Sequence, residues 1–405
     1  MNILVINQPL NNRGDESAHK ALVRTLLNQL PDAKITVLFV KSNADSIRQF
    51  SVDNPRVCYL NIQPSFLYRR FSLSAMRKGQ YFMWFLHPTT LRLMALYKKA
   101  DWVVCAPGGI CMGGFQNWGH LYFLKMAQRL NKKIAYFGRS IGPFPTETED
   151  NRWFKKESLE LLHGFDYISL RDSKSEDLAK QIGIEFFSTV DTAFLETPRA
   201  DIPLEIKKQI GEKYVVFVPN LLIWHFAYKN RITKESVLHF YKLIFDEIVN
   251  KWPDAKIVLL PQTFNYGTYE GDDIHFFYEL SDYIDDERIV VVPDTYSSDI
   301  QQTIISEAVY MVGARYHSIV FAINNKVPFV ALSYEHKING LLNTLGAEER
   351  MIDITHGLDN VVCIKQTVDK FKKIISVSTP MDVLCDKAKG KVNVGFGELK
   401  KLIKD

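Results

Sequence analysis

Short runs rich in Val and Ile alternate with helix-length amphipathic segments along most of this chain, and that alternation more than anything else restricts what it can fold into. Strands that read as nearly unbroken apolar runs must be covered on both faces, which requires parallel sheets with crossover helices. In the first half such runs occupy residues 2–7, 34–40, 57–62, 102–106, 133–137 and 167–170. Between the first two, Ala18, Ala21, Leu22, Leu26 and Leu30 line one face of a helix. Two prolines and several charges interrupt the periodicity at residues 196–203, and the pattern then restarts at 214–218, 256–260, 288–292, 310–313 and 328–333. At 405 residues the chain also exceeds what one compact core usually holds. The expected fold class is therefore α/β, with two Rossmann-like doubly wound domains facing a cleft. The first spans 1–197 on the acceptor side, the second 198–375 on the donor side, and 376–405 forms a tail or crossover helix.

Composition excludes several classes. Fifty Lys and Arg against 46 Asp and Glu give a net charge of +4, too small an excess to imply nucleic acid. Five scattered cysteines without a CxxC pair indicate neither a disulfide framework nor a zinc site, and read as reduced thiols in a cytoplasmic protein. The opening MNILVINQPL lacks the basic region and cleavage site of a signal peptide, and no apolar run approaches the roughly 20 residues of a membrane span. Any membrane contact is expected to be peripheral, at the inner face of the cytoplasmic membrane. No spacing of carboxylates or histidines suggests a metal, and no cofactor is expected.

Ligands of open parallel sheets sit beyond the carboxyl ends of the strands, and five motifs are expected there. Asn11-Asn12-Arg13-Gly14-Asp15-Glu16 follows the opening strand; Gly14 permits close backbone approach and Asp15 can cap the next helix, so it reads equally as a structural turn or a substrate-contacting loop. Gly108-Gly109 leaves backbone amides to face a ligand. Arg139, between Gly138 and Gly142, presents a donor fork suited to carboxylate or phosphate, against the alternative of a salt bridge. Arg171-Asp172 reads as a further cation or as a structural pair. Arg315, Tyr316, His317 and Ser318 open a helix after the strand ending at Gly313, and Lys337 follows the next strand, so a cation, an imidazole, an amine and helix amides converge. A lone buried histidine is usually structural, but three such groups at consecutive strand ends favour function.

In order along the chain, Gly14-Asp15, Gly108-Gly109, residues 138–144 with their Ile-Gly-Pro-Phe, Arg171-Asp172 with Ser175, Asp191, Leu260-Pro261-Gln262, Arg315-x-His317 and Tyr334-x-x-Lys337 before Leu345-Gly346 resemble the polysaccharide pyruvyl transferase family. The resemblance implies a GT-B-like fold, phosphoenolpyruvate as donor, and a hexose or N-acetylhexosamine acceptor, often lipid-linked, in capsule or exopolysaccharide synthesis. It places Arg315, His317 and Lys337 in the family's active-site motifs, with Tyr316 where Leu is usual. Arg139, Arg152 and Arg171 compete for a further donor-binding arginine. His317 is then the expected general acid, Lys337 a proton acceptor or phosphate stabiliser, and Gly14, Asp15, Gly108 and Gly109 the acceptor contacts. A nucleotide-sugar glycosyltransferase, or a non-catalytic carbohydrate- or anion-binding protein on the same scaffold, is the alternative.

The segment 66–99 interleaves aromatics with basic residues, among them Tyr68, Arg69, Arg70, Phe71, Arg77, Lys78, Phe82, Trp84, Phe85 and Arg92. It reads either as core packing or as a basic amphipathic surface for an anionic membrane.

Overall fold

The computed structural model describes residues 1–9, 12–40, 42, 44–225, 228, 230–264, 272–334, 336–377 and 380–404. Asn11 and Glu335, which belong to quoted motifs, lie outside them. The chain divides into two compact units, Met1–Leu10 with Ala18–Thr192 and Gly390–Asp405, and Asn11–Ser17 with Ala193–Lys389.

The first unit holds strands β1 (Asn2–Ile6), β2 (Lys34–Val40), β3 (Val57–Ile62), β4 (Trp102–Cys105), β5 (Gly108–Met112), β6 (Lys133–Ile141), β7 (Tyr167–Leu170) and β8 (Phe187–Ser188). They form a parallel sheet in the order β3-β2-β1-β4-β6-β7-β8, with β5 added beside β6. The second unit holds β9 (Tyr214–Val218), β10 (Lys256–Leu259), β11 (Ile289–Val291), β12 (Tyr310–Gly313), β13 (Phe329–Ser333) and β14 (Met351–Asp353), parallel in the order β11-β10-β9-β12-β13-β14. In both units the chain winds outward from the first strand, returns, and winds the other way, which is the doubly wound arrangement with a switch point beside the first strand. Val215–Val218 of β9 and Met311–Gly313 of β12 are fully buried, as strands covered on both faces require.

All eleven apolar runs read from the sequence are strands. Three strands escaped that reading for physical reasons: β8 and β14 are two and three residues long, and β5 starts on the glycine pair. Gly108-Gly109 thus opens a strand rather than a strand-to-helix turn. β6 also runs four residues beyond its expected end and carries Arg139 inside the sheet.

The C-terminal helix Met381–Lys404 contributes its second half to the first unit. There Tyr167 donates its hydroxyl to the Gly395 carbonyl at 2.8 Å, and Phe396 packs against Phe137 with ring centroids 4.4 Å apart.

His19, on the helix Arg13–Gln29, is fully buried against Phe39, Phe50 and Tyr59 at ring distances of 6.0–6.2 Å. Burial, with Lys20 and Arg24 nearby, pushes its imidazole down from 6.5 to about 3. The unfolded chain therefore binds a proton that the folded chain refuses, so stability is full above pH 6.5 and is lost as pH falls toward 3. The expected contribution is a loss of about 2 kcal/mol between pH 6.5 and pH 5. Urea unfolding at pH 7 and pH 5 should show a shallower pH dependence in His19→Phe than in the parent, and identical slopes would refute the assignment.

Candidate functional site

The second unit gathers the C-terminal motif residues at the carboxyl ends of its strands. Gly313 of β12 pairs with Val218 of β9 on one side and with Ala331 of β13 on the other, so the turns beyond these strands are neighbours. Arg315 is the N-cap residue of the helix Tyr316–Asn324, His317 lies in its first turn, and Ser318 donates its hydroxyl back to the Arg315 carbonyl at 2.6 Å. Ser318 is fully buried, so it shapes this turn rather than facing a donor. Lys337 lies in the first turn of the helix His336–Leu345, directly after β13 and Tyr334.

Arg315 is held by partners that linear spacing did not reveal. Its Nη2 pairs with Asp273 and donates to Thr263 Oγ1 at 3.1 Å. Asp273, only 2% exposed, also accepts the backbone N–H groups of Gln262 and Thr263, each at 2.9 Å. One carboxylate therefore fixes both the loop after β10 and the guanidinium after β12. Gln262 is locked further: its amide donates to Gln301 Oε1 at 2.7 Å, and Gln301 donates to the Pro261 carbonyl at 2.7 Å. The loop after β9 supplies an aromatic wall. His225 and Trp224 stand edge-on to Tyr334 at 5.4 and 6.4 Å, and Arg315 lies 6.0 Å from the Trp224 ring. Tyr241 ties this loop down, its hydroxyl bonded at 3.0 Å to both the N–H and the carbonyl of Asn220.

The first turn of the helix Arg13–Gln29 belongs to this same unit. Asn12 bridges to Thr263 and accepts the Asp15 N–H at 2.6 Å, so Asn12 rather than Asp15 caps the helix, and the Asp15 carboxylate accepts from the Asn12 amide in return. Arg13 pairs with Glu16 at 2.8 Å and lies 4.0 Å over the Phe264 ring, and Glu16 accepts the Ser298 N–H at 3.0 Å. Gly14 is required for space: a Cβ at this position would overlap the His317 imidazole. Two motifs three hundred residues apart thus meet at one ring.

The arginines proposed from the first half stand elsewhere. Arg139 is fully buried in β6 and donates to the carbonyls of Asn7 and Ala106 at 2.6 Å and of Gly109 at 3.3 Å, and to Cys111 Sγ at 3.2 Å. The expectation of an anion-binding Arg139 is corrected by this geometry, because the fork clamps main-chain oxygens at strand ends. Asn7 and Cys111 also line a cavity of about 310 Å3 in this unit, with Gln8, Tyr68, Asn117 and His120 among its other walls. Burial, with Arg139 nearby, holds the His120 imidazole well below its usual range. Arg171 pairs with the buried Asp191, which supports the structural reading, while Asp172 caps the next helix by accepting from Ser175 N at 2.9 Å. Arg152 donates to the carbonyls of Thr146 and Glu147 at 3.0 and 3.3 Å. Among the described residues no group of three or more His, Cys, Asp or Glu side chains is placed to hold a metal ion.

Two doubly wound parallel-sheet units, with polar groups converging at strand carboxyl ends, define an α/β protein of the GT-B type. Solved structures agree on the fold. UDP-GlcNAc 2-epimerase from Neisseria meningitidis superposes with a TM-score of 0.56 at 12% identity, covering 100% of both chains. UGT89C1 of Arabidopsis thaliana gives 0.56 at 13%, covering 99% of each. Residues 12–336 match the family model for polysaccharide pyruvyl transferase, and the chain belongs to that family and is a transferase. It is 23% identical, over 92% of its length and 93% of the relative's, to the amylovoran biosynthesis protein AmsJ of Erwinia amylovora.

Gly14→Ala should displace the His317 ring without disturbing either sheet, and a misplacement of that kind costs on the order of 100-fold in turnover. Asp273→Asn should release Arg315 and cost about 10- to 100-fold. Steady-state rates alongside circular dichroism check both; unchanged rates in Gly14→Ala would remove His317 from the chemistry.

Proposed function

We propose that this chain transfers the pyruvyl group of phosphoenolpyruvate to a sugar of a lipid-linked repeat unit of an exopolysaccharide, closing a cyclic ketal and releasing phosphate. The observation that carries this reading is the convergence of Arg315, His317 and Lys337 on the carboxyl ends of the adjacent strands β12 and β13. Phosphoenolpyruvate brings a carboxylate and a phosphate, and a guanidinium, an ammonium and the N-terminal amides of two helices are suited to both. AmsJ, named for amylovoran biosynthesis, supports an exopolysaccharide as the end product.

In this mechanism His317 gives its proton to the methylene carbon C3, and C2 becomes electrophilic enough to accept a sugar hydroxyl. The hydroxyl proton passes to the now neutral His317 as the C–O bond forms, and a tetrahedral phosphoketal results. Cleavage of the bond between C2 and the phosphate oxygen then releases phosphate, whose charge Lys337 neutralises, and a second hydroxyl of the same sugar attacks C2 to close the ketal, its proton passing to the departing phosphate. Asp273 sets the plane of Arg315 before substrate arrives. The cavity of the first unit, with Asn7, Gln8 and Asn117 among aromatic walls, suits a sugar acceptor.

Incubation of phosphoenolpyruvate with a panel of lipid-linked and model glycosides should release phosphate and add the mass of a pyruvate ketal to one of them. His317→Ala should lower turnover by about 100-fold or more while donor binding, read by calorimetry, survives. Release of a nucleotide from a sugar nucleotide, with phosphoenolpyruvate untouched, would assign the chain to the glycosyltransferases instead.

A further inference from the structure

The cations of this chain are unevenly distributed. Between Asp53 and Asp101 there are eight Lys and Arg and no acidic residue, leaving 42 basic against 46 acidic residues elsewhere. The net positive charge thus resides in one stretch of the first unit. No helix among the described residues is long and apolar enough to cross a membrane.

The stretch folds into the helix Phe66–Arg77, the 3-10 turn Tyr81–Leu86 and the helix Pro88–Lys99. Ser65 caps the first by accepting from Tyr68 N at 3.1 Å, and Tyr68, Ser72, Ala75 and Met76 form its buried face. Trp84 is buried from the turn and donates its indole N–H to the Ser72 carbonyl at 3.2 Å. With these anchors satisfied, Phe66, Leu67, Phe82 and Leu86 are still 68–76% exposed, and Phe85 and Leu91 are exposed beside them. Arg77 is engaged by Asp150 at 3.3 Å, but among the described residues none of Arg69, Arg70, Lys78 and Arg92 is paired with a carboxylate. A groove between the helix and the turn sets Arg70 and Lys78 beside Leu67, Phe71 and Met83.

We propose that this face docks the protein on an anionic lipid bilayer, its apolar side chains entering the interface while Arg70 and Lys78 meet lipid phosphates. Exposed aromatic and aliphatic residues interleaved with cations of one sign match such a surface in both polarity and charge. A second copy of the chain fits it poorly, because two faces of the same positive sign would oppose each other. Tyr68, Arg69, Ser72 and Leu73 of the same helix line the 310 Å3 cavity, so a docked helix would hold that cavity beside the lipid surface. The inference stands independently of the chemistry assigned to the second unit.

Sedimentation of this 405-residue chain with phosphatidylcholine vesicles, with and without phosphatidylglycerol, tests it. Binding to the anionic vesicles should exceed binding to the neutral ones by about 10-fold or more and fall with added salt. Arg70→Glu/Lys78→Glu should abolish the preference, and Leu67→Ser/Phe82→Ser should weaken binding with every charge kept. Turnover on a water-soluble acceptor should stay unchanged in both. Equal binding to the two lipid compositions, full binding by Leu67→Ser/Phe82→Ser, or a dimer in sedimentation velocity that this variant dissociates would each overturn the proposal.

Discussion

The Asp273 carboxylate is the constraint on which the candidate site depends. A buried charge is costly unless its oxygens are satisfied, and here one oxygen receives two backbone N–H groups while the other pairs with Arg315. The loop after β10 and the turn after β12 cannot move apart without exposing that charge to an apolar interior. The first helical turn is bound in by the same logic: Arg13 N–H donates to the Gln262 carbonyl at 2.9 Å, and Glu16 holds the start of the helix Ser298–Ser306. His317 is thereby set against Gly14 by elements already fixed for other reasons. The donor proposed above, with two anionic groups, would gain from this, because Arg315 is oriented before a ligand arrives and little reorganisation remains.

The fold was legible in the sequence because strands covered on both faces leave unbroken apolar runs, and all the runs long enough to show that signal are strands. The site was legible only where chemistry sits at strand ends. Arg315, His317 and Lys337 announced themselves by residue type and position, whereas Asp273 did not. An acid at the start of a helix reads as a response to the helix dipole, and nothing in linear spacing connects it to an arginine 42 residues later. Gly14 shows a subtler limit: its place in a turn suggested backbone freedom, but the structural demand is the volume of an imidazole from the far end of the chain.

Arg139 marks where reading by residue type fails. An arginine between glycines at an apparent strand end looks like an anion ligand because burial of its five donors is normally too expensive. The cost is met by three carbonyls and a thiol, from the residue after β1, the β4–β5 connection and β5, none of which is visible from the residues around it. Its rival Arg171 is met instead by the buried Asp191 carboxylate. Both arginines organise the first unit's strand ends, and Arg139 does so at the walls of a cavity. In the first unit Arg139 is committed to main-chain oxygens and Arg171 to a buried carboxylate, whereas the second unit holds Arg315 on a carboxylate two residues before an imidazole.

The segment 66–99 admitted two readings from sequence, core packing or membrane surface; its local geometry shows the packing and leaves an outer face to which the docking proposal applies. A 3-10 helix has three residues per turn, so side chains three apart stand above one another. Tyr81 and Trp84 form the inner ridge, stacked edge-on at 5.1 Å, while Phe82 and Phe85 form the outer one. An α-helical turn would rotate each successive position by a smaller step and blur that division. The tighter turn lets one aromatic-rich run serve the core on one side while it keeps a second aromatic ridge outside, on the segment that also carries Arg70 and Lys78. Exposed phenylalanines add nothing to folding, and beside cations of one sign they match the partner proposed for this face, apolar at depth and anionic at its surface.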